Sequence, residues 1–121
     1  MRVIVVDDSD VFRKVVSEVA AATPGFEVVG TASSRREALH LIDALDPQLV
    51  LVDLQMPELA GIETATRLRE QHPDLVVVLL TANRPVSLAL PSLVIVDRLD
   101  VSPEWLESFW RRQDLRQASS G

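Results

Sequence analysis

The run Leu75-Val-Val-Val-Leu-Leu80 constrains this chain more than any other segment, because it offers no polar face at all. A strand with one face in water alternates apolar and polar residues. An unbroken run belongs to a strand buried on both faces, the habit of parallel sheets covered by helices. Residues 2–6 read the same way, Leu49 to Leu54 makes another strand, Phe26 to Ala32 a further one, and Val94-Ile95-Val96 a short fifth. Between them the apolar period changes to that of a helix. After Ser9 it runs through Val11, Phe12, Val15, Val16, Val19 and Ala20 until Pro24-Gly25. Ser34 with Glu37 three residues on is a capping box for a helix through Ala38, Leu39, Leu41, Ile42 and Leu45, and Asp46-Pro47 turns the chain. Glu58 to about Gln71 carries Ile62, Ala65 and Leu68 on one face until His72-Pro73-Asp74. Ser102-Pro103 opens a last helix through Trp105, Leu106, Phe109 and Trp110. Strand and helix in alternation mean a parallel sheet with right-handed crossovers, whose ligands lie beyond the carboxyl ends of the strands.

Three acids fall at that edge. Asp7-Asp8 closes the first apolar run and Asp53 closes the third, as Val-Leu-Val-Asp. Singly, each could end a strand or cap the next helix. Together they crowd like charges, which raises at least one carboxyl pKa unless a cation relieves it. Oxygen-only ligands select a hard ion, Mg2+ or Mn2+, over zinc. Thr81 is delivered to the same edge by the fourth strand.

The remaining composition excludes more than it assigns. A chain of 121 residues with 47% hydrophobic content makes one domain. Cysteine is absent, which removes disulfides and thiolate metal sites and suits the cytoplasm. The acids come too early for a signal peptide, and no run is long enough to span a membrane. A net charge of -6 argues against direct nucleic-acid binding. Lys14 is the only lysine among the 12 basic residues, so arginine stands wherever a cation is needed elsewhere. The loop after the first strand has no glycines for a pyrophosphate, and no second acid follows Asp53 by two residues as a small aspartate-nucleophile phosphohydrolase would require. The tail, residues 117–121, is polar and expected to fray from a domain of residues 1–116.

In combination, Val-Asp7-Asp8, Val-Asp53-Leu-Gln-Met-Pro57 with Gly61, and Leu-Thr81-Ala82 resemble the receiver domain of two-component response regulators over essentially the whole chain. The resemblance implies a flavodoxin-like α/β fold, a doubly wound five-stranded parallel sheet of order 2-1-3-4-5. It implies that Asp53 accepts a phosphoryl group, that Asp8 ligates Mg2+ directly, that Asp7 acts mostly through water, and that Gln55 offers the ion its backbone carbonyl. Thr81 and Ala82 would meet the phosphoryl oxygens, and Gln55 and Asn83 would tune dephosphorylation. The partners implied are a sensor histidine kinase or a histidine phosphotransfer protein, with a homodimer as a further option. Such a chain is a regulator rather than an enzyme, either standing alone or part of a longer protein.

Three departures qualify the resemblance. Arg98 occupies the place of the family's lysine after strand five, keeping the charge but exchanging a compact ammonium for a planar fork. It either replaces the lysine or pairs with Asp53 and mimics a neutralised state. Ile95 occupies the place of an aromatic switch residue and cannot exchange a ring between buried and exposed positions. Pro85 and Pro91, with a Thr81-to-Arg98 spacing roughly five residues short, more than one helical turn, predict a degenerate or missing fourth helix. These features define an alternative, a phosphorylation-independent binding or dimerisation module.

Overall fold

The apolar runs become strands in the computed structural model, which describes residues 1–53, 60–81 and 94–120. Strands β1 (Arg2–Val6), β2 (Glu27–Ala32), β3 (Leu49–Asp53), β4 (Val76–Thr81) and β5 (Val94–Asp97) pair in parallel in the order 2-1-3-4-5. Helices α1 (Asp10–Ala21), α2 (Arg35–Leu45), α3 (Ala60–Gln71) and α4 (Pro103–Ser120) complete a flavodoxin-like, doubly wound fold among the described residues. The segment expected to lack its helix, residues 83–93, lies outside those described, as does the side chain of Ile62. Helix α4 continues through Ser120, across the residues read from sequence as a polar tail.

Alternation along each strand sorts the core into two layers. Ile4, Val6, Val50, Val52, Val77 and Leu79 pack with Ala38 and Ile42 of α2 and Ala65 and Leu68 of α3. Val3, Val5, Leu49, Leu51, Val78 and Leu80 pack with Val16 and Ala20 of α1 and Leu106 and Phe109 of α4. Both layers are buried, so β1, β3 and β4 are the apolar-on-both-faces strands their sequences require.

Helix boundaries follow their caps. The side chains of Ser9, Ser34 and Ser102 accept from the backbone N–H of Phe12, Glu37 and Trp105, three residues on. The box at Ser34 closes differently from the expected pattern. Glu37 Oε2 accepts from Ser33, through its N–H at 3.4 Å and its hydroxyl at 3.1 Å, one residue before the cap. Replacing Ser34 with alanine removes one of these caps and is expected to cost about 1 kcal/mol by urea unfolding; no loss would mean water caps the helix equally well. Two left-handed positions serve turns: Asp46, φ 48°, closes α2, and Gly25, φ 82°, leads from α1 into β2.

One stripe differs from its expected place. Of the apolar residues at helical spacing on α1, Val16 and Ala20 are buried, whereas Val11, Phe12 and Val15 are exposed. The apolar face of α1 is broader than the sheet can cover. Among the described residues, no helix is long and apolar enough to cross a membrane.

Candidate functional site

Register brings the acids together. Val6 pairs with Val52, so the residues that follow, Asp7 and Asp53, stand side by side at the carboxyl ends of β1 and β3. The Asp7 N–H donates to Ala32 O at 3.0 Å, which carries the β1–β2 ladder one step further and fixes the Asp7 backbone. Alternation turns both side chains to the α1/α4 layer, opposite Val6 and Val52. Asp53 pairs with Leu80, which sets Thr81 one step beyond it, and Thr81 pairs with Asp97 on β5.

Asp7, Asp8 and Asp53 each offer a carboxylate oxygen within 4.8 Å of the others. Asp7 and Asp53 are 1% and 3% exposed, Thr81 is 4% exposed, and Asp8 faces solvent. Burial pushes the Asp7 carboxyl from its ordinary 3.8 up to about 6. The Ser9 backbone N–H, donating to Asp7 Oδ1 at 2.8 Å, opposes this rise. The charge of Asp53 and a carboxyl–carboxyl hydrogen bond with it raise Asp7 further, and the Arg98 cation lowers it. Two buried acids that share a hydrogen bond need a proton or a cation between them.

The donor set fits a hard divalent ion. Opposite oxygen ligands of Mg2+ are about 4.2 Å apart, twice a bond of ~2.1 Å, so the trio needs little adjustment to share one ion. Asp8 lies on the wet side, where coordinating waters can enter. All three donors are carboxylates, which disfavours zinc.

Arg98 lies on a short 3-10 turn, Arg98–Asp100, that follows β5 and is capped by Asp97, whose Oδ1 accepts from Leu99 N at 2.9 Å. Its guanidinium Nη1 reaches Asp7 Oδ2 at 3.7 Å, and its Cζ sits 3.4 Å over the ring of Phe12. The cation expected at this position from sequence is therefore beside the acids. Ile95 pairs with Leu79 and packs, half-buried, against the α2/α3 layer. Gln55, Pro57, Ala82 and Asn83 lie outside the described residues.

Three neighbours were not singled out from sequence. Ser9 holds Asp7, Arg13 Nη1 donates to Asp7 O at 2.9 Å while its Nη2 pairs with Asp10, and Phe12 lies under Arg98. The available signal was position: all belong to the cap and first turn of the helix that opens directly after the Asp7-Asp8 edge. Elsewhere, His40 is exposed, and His72 Nε2 lies 3.1 Å from Asp43 Oδ1, remote from the acids in sequence. Trp105 stacks on Phe109 with ring centroids 5.1 Å apart, and both tryptophans are half-buried.

Residues 3–95 match the family model described as response regulator receiver domain, a match that ends just before Arg98. The chain is 51% identical over 69 residues to a protein-glutamate methylesterase/protein-glutamine glutaminase of Nocardioides sp., covering 57% of this chain and 19% of that protein. It is 41% identical over 81 residues to the response regulator GacA of Pseudomonas viridiflava, covering 67% and 38% respectively. The chain thus spans well under half the length of these relatives. Among solved structures, it superposes on the response regulator domain of Thermotoga maritima CheB with a TM-score of 0.76 and 27% identity, over 92% of this chain and 94% of that one. The receiver domain of the putative response regulator NarL from Mycobacterium tuberculosis gives a TM-score of 0.70 and 26% identity, over 88% and 94%. With the fold, the acid edge and the residues matched in agreement, the chain belongs to the response regulator receiver domain family.

Proposed function

We propose that this receiver accepts a phosphoryl group on Asp53 in a Mg2+-dependent reaction and thereby changes its protein contacts. The single observation that carries this reading is the convergence of the buried Asp7 and Asp53 with the solvent-facing Asp8, with a raised Asp7 pKa, a site short of positive charge at the sheet edge. A carboxylate oxygen of Asp53 attacks phosphorus in line. The bond from phosphorus to the donor's leaving atom breaks, and its electron pair leaves with that atom, an imidazole nitrogen in a phosphohistidine or a carboxylate oxygen in acetyl phosphate. Asp7, Asp8, Asp53 and the backbone carbonyl of Gln55 would hold the ion, which when bound neutralises charge on the transferring group. Thr81 lies one register step past Asp53; it and Ala82 would hydrogen-bond phosphoryl oxygens. Arg98 would contribute a cation beside Asp7. Gln55 and Asn83 would govern the entry of water to the acyl phosphate.

The donor would be a sensor histidine kinase or a histidine phosphotransfer protein in the cytoplasm, residues 1–116 would form the receiver unit, and a homodimer is one contact the modification could control. Intact mass after incubation with Mg2+ and acetyl phosphate tests the reading. One phosphoryl adduct is expected on wild type and none on Asp53→Asn or in excess chelator; an adduct that persists on Asp53→Asn would place the acceptor elsewhere.

One observation favours a second reading, a binding module independent of phosphorylation. Arg98 already partly neutralises Asp7. That reading expects wild type and Asp53→Ala to share oligomeric state and partner affinity with and without the phosphodonor, as read by light scattering and titration.

A further inference from the structure

The contact left unused by the fold and by the acid chemistry is the ring beneath Arg98. Phe12 is 36% exposed and belongs to neither core layer, so packing does not account for its place. The Arg98 Cζ sits over it, 3.4 Å from the ring centroid, and the Arg98 side chain is left only 10% exposed. Its approach to Asp7, at 3.7 Å, is longer than a hydrogen-bonded ion pair. The carboxylate alone therefore does not fix the orientation of a long side chain with many rotamers, whereas an aromatic face defines its plane.

These contacts close on themselves. Ser9 N donates to Asp7, Ser9 Oγ accepts from Phe12 N at 3.4 Å, the Phe12 ring supports Arg98, and Arg98 returns to Asp7. The first turn of α1 thus places the ring by the same cap that places the acid.

We propose that Phe12 is a positioning residue: its ring holds the Arg98 guanidinium at the mouth of the acid pocket, where the cation faces a phosphoryl group entering at Asp53. The proposal rests on the phosphoacceptor reading for its role in transfer, and on the stack alone for the placement of Arg98. A cation held beside Asp7 also repels a divalent ion. Loosening Arg98 is therefore expected to slow transfer without weakening Mg2+ binding, a split that general damage to the pocket would not produce.

Phe12→Leu and Phe12→Tyr, compared with wild type after thermal melts confirm folding, provide the test. At saturating Mg2+, labelling of Asp53 by acetyl phosphate is expected to slow about five- to tenfold in Phe12→Leu and to stay within about twofold of wild type in Phe12→Tyr. The Mg2+ dissociation constant in Phe12→Leu should be equal or lower. The Arg98 Nε–H resonance should lose its ring-current shift in Phe12→Leu and keep it in Phe12→Tyr. Unchanged labelling in Phe12→Leu, or labelling and Mg2+ affinity falling together without rescue by tyrosine, would overturn the proposal. If wild type takes no label, the phosphoacceptor reading fails, and an Arg98 resonance unmoved in Phe12→Leu then removes the positioning role as well.

Discussion

Without divalent ions at pH 7, Asp7→Asn is expected to be more stable than wild type by about 1–3 kcal/mol in urea unfolding, and to lose the stabilisation wild type gains from Mg2+. The folded Asp7 carboxyl sits at about 6 against an ordinary 3.8, chiefly because it is buried. A raised carboxyl pKa means the folded state binds the proton more tightly than the unfolded chain. The resulting stability is complete below about 3.8 and is lost as pH rises through about 6. At pH 7 the charge has been forced into the pocket, at a cost of order 3 kcal/mol for a shift of this size, and asparagine removes the charge while keeping an acceptor for Ser9 N–H. Wild type in chelator should accordingly gain stability on acidification from pH 7 towards 5, and Asp7→Asn should be flat over that range. With Mg2+ at ten times its dissociation constant, mass action adds about 1.4 kcal/mol to wild type and nothing to the variant. A variant less stable than wild type in chelator would show that Arg98 and Ser9 already compensate the buried charge. A variant that kept the Mg2+ response would show that Asp8 and Asp53 suffice to hold the ion.

Much of this site was legible in sequence because it depends on the ends of strands. Asp7, Asp8, Asp53 and Thr81 each terminate an unbroken apolar run, and parallel pairing leaves such ends no other place to go. Arg98 was legible as a cation at the right distance along the chain, but its partner was not. The pairing of Arg98 with Asp7 and Phe12 joins the end of β5 to the first turn of α1, a contact across the fold that periodicity cannot show. The exposure of Val11, Phe12 and Val15 was missed for a related reason. Helical spacing marks a face as apolar, and the width of the sheet beneath decides how much of it is covered. Glu37 met Ser33 rather than its cap because two donors, one of them a hydroxyl, compete with one backbone N–H for the same carboxylate.

Leu51→Ala is expected to cost about 3–4 kcal/mol, a large share of the 5–15 kcal/mol that holds a domain of this kind. Leu51 is fully buried in β3, between Val5 of β1 and Val78 of β4, in the layer shared with α1 and α4. Truncation there leaves a cavity that three paired strands cannot close without breaking register. Register is also what aligns Asp53 with Asp7, since a slip of one residue would turn Asp53 to the opposite face. The strands are held by apolar runs on both faces, so the lost energy should appear as global unfolding rather than as a displaced acid. The folded fraction of Leu51→Ala is thus expected to bind Mg2+ with wild-type affinity while its urea midpoint falls sharply. Leu99→Ala, at a residue 84% exposed on the 3-10 turn, should shift stability by less than about 0.5 kcal/mol. A weakened Mg2+ affinity in folded Leu51→Ala would mean that packing behind the edge, and not strand register alone, sets the spacing of the acids.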